Sequence, residues 1–150
     1  MQFFVDLWSN GPLKCAALSW AVAQFIKVLI NLWLNKKLDW RRCFGMGGMP
    51  SSHTALVIAL AISIAFQDGA NSATFAVAFV LAAVVIYDAL GVRRETGKQS
   101  EVLNQIITEM LVEGKPITEK QLKELVGHTP LEVLGGLIVG VTIALVFAFT

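Results

Sequence analysis

Histidine is scarce in this chain. Only His53 and His128 occur in 150 residues, so any imidazole chemistry rests on those two. Charge is scarce as well. Asp, Glu, Lys and Arg make up 15% of the chain, against 55% apolar residues and a mean hydropathy of +0.65. That balance excludes an ordinary soluble domain and points to a membrane protein with several spans. The two cysteines, Cys15 and Cys43, have no CxxC or Cys/His spacing. This argues against a zinc site or a disulfide framework and leaves them as small buried or interfacial residues. The N-terminus, Met-Gln-Phe-Phe-Val-Asp-Leu-Trp, lacks the basic region of a cleaved signal peptide. The first apolar segment is therefore expected to be a retained span.

Four apolar stretches are present, at about 12–34, 52–66, 72–90 and 131–149. A helix needs roughly 20 residues to cross a bilayer, so the second is short. No strand alternation is visible, and only helices and closed barrels cross lipid. The expected fold is all-α: one membrane-embedded domain over 1–150, with about four spans. Threading the spans gives a checkable result. With the N-terminus on side A, span one delivers residues 35–50 to side B, and span three returns the chain there at Tyr87 to Arg94. The polar segment that follows stays on side B until span four. His53, Asp88, Arg93, Arg94 and His128 then all share side B. A span count wrong by one before His128 would separate the two histidines.

Side B also carries nearly all the positive charge: Lys36, Lys37, Arg41, Arg42, Arg93, Arg94, Lys98, Lys115, Lys120 and Lys123. Excess Lys and Arg in short loops marks the cytoplasmic side. The segment from Glu95 to Gly127 reads as two helices, an amphipathic one from Ser100 through Leu111 and a short one opened by Thr118-Glu-Lys-Gln121. It forms either a flap over the site or a solvated connector.

Both histidines precede a span. His53 ends the run Gly-Gly-Met-Pro-Ser-Ser-His. Gly45, Gly47 and Gly48 let backbone approach a ligand closely, and Pro50 suits a first helical turn. Ser51, Ser52 and Thr54 are capping residues and hydroxyl donors. A helix starting there aims its amides and positive dipole end at an anion such as phosphate. A capped helix with an incidental histidine fits the same letters. His128 stands four residues before Glu132, about one helical turn. A carboxylate there can hold one ring nitrogen and leave the other free to attack. A surface histidine beside a capping Glu is the competing reading.

Arg93 and Arg94 at a membrane mouth match phosphate geometry, although a positive stop signal would look the same. Asp88 beside them has no topogenic use and suits pairing with an arginine. Lys27 lies about two turns inside span one, with Gln24 one turn away. An ionisable residue there marks either a functional site or a side chain snorkelling to side B.

Pro50-Ser51-Ser52-His53 together with His128-x-x-x-Glu132 resembles the type 2 phosphatidic acid phosphatase (PAP2) superfamily, which includes vanadium-dependent haloperoxidases. The closer match is its divergent bacterial and plastid branch. There the runs Gly-Gly-Met-Pro-Ser-Ser-His-Thr-Ala, Tyr-Asp-Ala-x-Gly-Val-Arg-Arg and Gly-His-Thr-Pro-x-Glu-Val look typical. The resemblance covers about Gln24 to Gly140. It implies a phosphomonoesterase that works through a phosphohistidine with no metal or other cofactor. By matching position, His128 would be the nucleophile, Glu132 its orienter, and His53 the acid and then the base. Ser52 and backbone amides would hold phosphate oxygens. The remaining candidates for binding are Ser51, Gly48, Lys27, Asp88, Arg93 and Arg94.

This chain also departs from the parent pattern. Ser52 replaces a glycine, and Glu132 replaces an aspartate. No Arg-Pro follows Lys27 at seven or eight residues. Arg93 and Arg94 lie more than 30 positions upstream of His128, where the parent arginine is close to its histidine.

The expected function is hydrolysis of a lipid phosphate, of the phosphatidylglycerophosphate, phosphatidic acid or polyprenyl phosphate/pyrophosphate class. The expected location is a bacterial plasma membrane with the site facing the cytoplasm. The bilayer and the lipid are the expected partners, and nucleic acid is not. A homodimer seamed by the span-four glycines would enlarge the site. The alternative from another class is a non-catalytic protein that binds anionic headgroups. A small transporter or channel subunit also fits Lys27 and Gly136-x-x-x-Gly140.

Overall fold

A computed structural model of the chain describes residues 1–36, 48–112 and 128–149, apart from the side chains at 34, 35, 92–94, 98 and 108–112. Six helices are described: α1 (Gln2–Ser9), α2 (Gly11–Asn35), α3 (Ser52–Asp68), α4 (Ala73–Leu90), α5 (Val92–Val112) and α6 (Pro130–Ala148). There is no strand among the described residues. Three stretches are long and apolar enough to cross a membrane: Gly11–Trp33, Ala73–Ile107, which joins α4 to most of α5, and Pro130–Ala148. α3 is the shorter apolar helix, 17 residues long. The all-helical membrane architecture read from the sequence is thus present.

Local chemistry sets the helix ends. Asn10 caps α2 by accepting from the Leu13 N–H at 3.0 Å, and Pro12 occupies its first turn. Ser72 caps α4 by accepting from the Phe75 N–H at 3.1 Å. Thr129 and Glu132 form a capping box on α6. These side chains satisfy amides that a helix start leaves without a backbone partner.

α3 is the central helix, packed against α2, α4 and α6. Its buried residues are small: Ser52, Thr54, Ala55, Val57, Ala59, Ala61 and Ser63. Small residues let helix backbones approach closely in lipid, where packing replaces the hydrophobic drive. α6 answers with glycine. A Cβ at Gly140 would stand 2.8 Å from the Ala55 carbonyl oxygen and 2.9 Å from Ile58 Cβ, and one at Gly136 would overlap the Ser51 carbonyl. Those glycines therefore face α3 within one chain. The dimer seam expected at Gly136-x-x-x-Gly140 is already occupied.

Contacts at both ends fix the helix directions. The Ser51 N–H donates to the Glu132 carbonyl at 2.8 Å, so α3 and α6 start together. At the other end, a Cβ on Gly11 would lie 3.3 Å from Gln67 Oε1 and 3.9 Å from Phe147 Cε1. α2 thus starts where α3 and α6 finish, and runs antiparallel to both. The His128 N–H donates to the Ala89 carbonyl at 3.2 Å, which brings the end of α4 to the same place. His53, Asp88 and His128 share one end of the bundle, as the threading requires.

Two features differ from the sequence reading. Residues before Pro12 form a helix of their own, α1, with Phe3, Phe4, Leu7 and Trp8 exposed and Gln2 bonded to Asp6 on the other face. Lys14 Nζ sits 5.6 Å from the Trp8 ring centre. The pattern was missed because eight residues carry too few turns for periodicity to register. α5 also begins at Val92, eight residues before the expected start, because Gly91 continues the hydrogen-bond ladder: its N–H donates to the Tyr87 carbonyl at 2.8 Å, and its carbonyl accepts from Glu95 at 3.0 Å. The short helix expected from Thr118 lies outside the described residues, as do Gly45 and Gly47.

Candidate active site

The site assembles where the starts of α3 and α6 meet the middle of α2 and the end of α4. Thr129 is the N-cap of α6, so His128 lies just outside the helix and Glu132 completes its first turn. His128 Nδ1 is 3.0 Å from Glu132 Oε2. The same oxygen accepts the Thr129 N–H at 3.1 Å, and Thr129 Oγ1 accepts the Glu132 N–H at 3.3 Å. The carboxylate only accepts hydrogen bonds, so it selects the tautomer with the proton on Nδ1. Nε2 is then the nitrogen that can attack. His128 is 5% exposed and Glu132 19%. Glu132 therefore serves helix and imidazole at once, and the cap holds the carboxylate in place for the ring.

α3 presents its own start beside this pair. Ser51 is its cap: Ser51 Oγ accepts the Thr54 N–H at 3.4 Å and the Thr54 hydroxyl at 2.9 Å. Ser51 and Ser52 are both fully enclosed, while His53 in the same turn is exposed. Two helix starts, tied by the Ser51–Glu132 backbone bond, place two positive dipole ends together. That convergence is an anion-binding geometry.

Lys27 completes the described cluster. It is 6% exposed. Its methylenes run past Gly48, where a Cβ would stand 3.6 Å from Lys27 Cδ. Gly48 adopts φ 87, a conformation that L side chains rarely take. Lys27 is within electrostatic reach of the Glu132 carboxylate. Gln24 Oε1, one turn deeper, is buried with no hydrogen-bond partner among the described residues.

The structure brings Lys27, Gly48, Ser51, His128 and Glu132 into contact or close range. His53 and Ser52 stand in the α3 first turn at the same end, and Asp88 lies in the last turn of α4. Arg93 and Arg94 fall in the first turn of α5, and their side chains lie outside the described residues. The sequence reading missed Thr129 as the residue that locks Glu132, although Thr129-x-x-Glu132 is itself a readable capping box. It also missed the Ala89 carbonyl, whose role carries no side-chain signal.

These features define a helical membrane protein with a histidine–carboxylate pair at the meeting of two helix starts. Residues 8–143 match the model of the Divergent PAP2 family, and the chain belongs to that family. It is 38% identical over 155 aligned positions to the Bacillus subtilis (strain 168) protein named "Uncharacterized membrane protein YuiD", covering 97% of this chain and 98% of that one. No solved structure matches it.

Proposed function

We propose that the chain is a membrane phosphatase that hydrolyses a lipid phosphate monoester through a phosphohistidine, at the cytoplasmic face of a plasma membrane. The observation that carries this reading is the 3.0 Å His128–Glu132 pair, set at two converging helix starts in a PAP2-related chain. In the proposed reaction His128 Nε2 attacks phosphorus and the ester P–O bond breaks. The departing alkoxide takes a proton from His53. Water then attacks the phosphohistidine and gives its proton to His53, the P–N bond breaks, and phosphate leaves. Glu132 keeps the ring oriented and balances the charge that develops on it.

The non-bridging oxygens are assigned to Lys27, Ser52 and the first-turn amides of α3 and α6. Arg93 and Arg94 add charge from α5, with Asp88 holding one of them. Gly48 keeps the Lys27 stem close to the loop, and Ser51 fixes the α3 start. The cytoplasmic assignment rests on the Lys and Arg excess at this end.

The test is phosphate release by the detergent-purified protein from phosphatidylglycerophosphate, phosphatidic acid and polyprenyl phosphate. His128→Ala should abolish both release and an acid-labile phospho-enzyme, and vanadate should inhibit the native chain. Turnover retained in His128→Ala would sink the nucleophile assignment. Headgroup binding without turnover on any of these lipids would instead favour a non-catalytic binding protein.

A further inference from the structure

α1 is two-faced, and its apolar face meets none of the bundle. At about 100° per residue, Phe3, Phe4, Leu7 and Trp8 fall on one arc of the helix, and Gln2, Asp6 and Ser9 on the opposite one. The polar arc is bonded within itself: Gln2 Nε2 donates to Asp6 Oδ1 at 3.1 Å, and Ser9 Oγ donates to the Asp6 carbonyl at 2.9 Å. No residue of α1 is buried, and Trp8 is 79% exposed. A helix of eight residues is too short to hold in water by itself. Its apolar arc therefore needs a surface.

The junction with α2 says which way that arc points. Pro12 offers no N–H to the Trp8 carbonyl, so α1 cannot run on into α2. Asn10, extended at φ -69 and ψ 101, is the single residue between the two helices. Coaxial helices would put Met1 about 20 Å from Lys14. Instead Met1, Phe4, Val5, Trp8, Ser9 and Lys14 line one open cleft of about 490 Å³, and Lys14 Nζ is 5.6 Å from the Trp8 ring centre. Lys14 stands one turn into α2. The apolar arc is thus turned toward the flank of the span and away from the water beyond its end.

The level is a membrane boundary. α2 starts beside Gln67 and Phe147. The same end of the bundle carries the turn at 69–72 between α3 and α4 and the edge contact of Phe66 with Phe149 at 6.5 Å. A polar turn ringed by aromatic side chains is the usual edge of a bilayer. It is the end away from His53 and His128.

We propose that α1 lies in the plane of the membrane at that end, docked on the lipid of the leaflet opposite the histidines. Phe3, Phe4, Leu7 and Trp8 sink among the upper chain segments, while Gln2, Asp6 and Ser9 face water. Lipid chains fill the cleft, and Lys14 extends along Trp8 to the phosphates. A lysine lining the cleft suits phosphate-bearing lipid better than the apolar face of a second copy.

The experiment uses the full chain, with Cys15 and Cys43 replaced by alanine, in vesicles of phosphatidylcholine and phosphatidylglycerol. A nitroxide is placed in turn at Phe3→Cys, Asp6→Cys, Leu7→Cys and Ser9→Cys, and collision with oxygen and with a water-soluble nickel chelate reports depth. Labels at Phe3 and Leu7 about 5–10 Å below the phosphates, with those at Asp6 and Ser9 in water, support the docking. Four labels in water overturn it, as do four at chain depth without alternation. Labels at Phe3 and Leu7 shielded from both reagents, and freed when the protein is diluted in lipid, overturn it in favour of a second copy. A second measurement keeps the native cysteines: Trp8→Phe should remove a fluorescence component that is quenched by lipids brominated on their chains. Removal of a component quenched only by aqueous acrylamide would count against the docking.

Discussion

The α3–α6 contact makes the sharpest structural prediction, because one methyl group tests it. A Cβ at Gly136 would overlap the Ser51 carbonyl oxygen and stand 2.9 Å from Thr54 Cβ. Carbon–carbon contacts are comfortable at about 3.5–4.0 Å, so the helices must part by roughly 0.6–1 Å. Overpacking of this kind costs about 1–3 kcal/mol. Parting the helices also stretches the 2.8 Å Ser51–Glu132 backbone bond, and a buried amide left without a partner adds about 1–3 kcal/mol. Gly136→Ala should therefore destabilise the fold by at least about 2 kcal/mol. Gly140→Ala, 2.8 Å from the Ala55 carbonyl, should cost the packing share without disturbing the Ser51 bond. Gly135→Ala is the graded control: its Cβ would meet Met49 Cε and Pro50 Cβ at 3.3 Å, and a flexible methionine can yield. Thermal unfolding in one detergent should rank Tm as native, Gly135→Ala, Gly140→Ala, then Gly136→Ala. A Gly136→Ala protein with native Tm would refute the close α3–α6 approach and the site geometry built on it.

Three further predictions concern the site. Glu132→Gln retains an acceptor for the Thr129 amide but offers the imidazole a donor, so turnover should fall by three to four orders of magnitude, the scale of losing a tautomer-fixing carboxylate. Loss of less than about tenfold in steady-state release would remove Glu132 from the mechanism. Lys27→Met should weaken vanadate inhibition by about 10- to 100-fold, the loss of a charged hydrogen bond worth roughly 1.5–3 kcal/mol, while Tm holds or rises because a buried charge is removed; unchanged inhibition would make Lys27 structural. Ser51→Ala deletes the α3 cap and should lower stability by about 1 kcal/mol in the same unfolding assay, and an unchanged Tm would mean the cap contributes nothing.

Much of this molecule was legible in its sequence because the bilayer simplifies the reading. Apolar runs had to become helices, and counting them placed His53, Asp88 and His128 at one end. The four-residue spacing of His128 and Glu132 already implied one turn, and the structure closes it at 3.0 Å. What stayed hidden was whatever depends on tertiary contact. Nothing local shows that Gly136 and Gly140 face α3 rather than a second chain; GxxxG spacing reads the same in both cases. Lys27 is likewise indistinguishable from a snorkelling lysine until Gly48 is seen folded against its stem.

The marginal length of α3 had looked like a weakness in the span count, and its place in the bundle explains it. A helix of 17 residues spans only about 25 Å, too little for a lipid-facing span of its own. Surrounded by α2, α4 and α6, it does not need to match the bilayer. Its small side chains allow close packing, and the 2.8 Å Ser51–Glu132 backbone bond keeps the starts of α3 and α6 level with each other. A longer α3 would lift His53 and its amides toward the headgroup plane, away from Lys27. The short span and the buried lysine are therefore one arrangement, in which α3 is cut to the level at which α2 presents its cation.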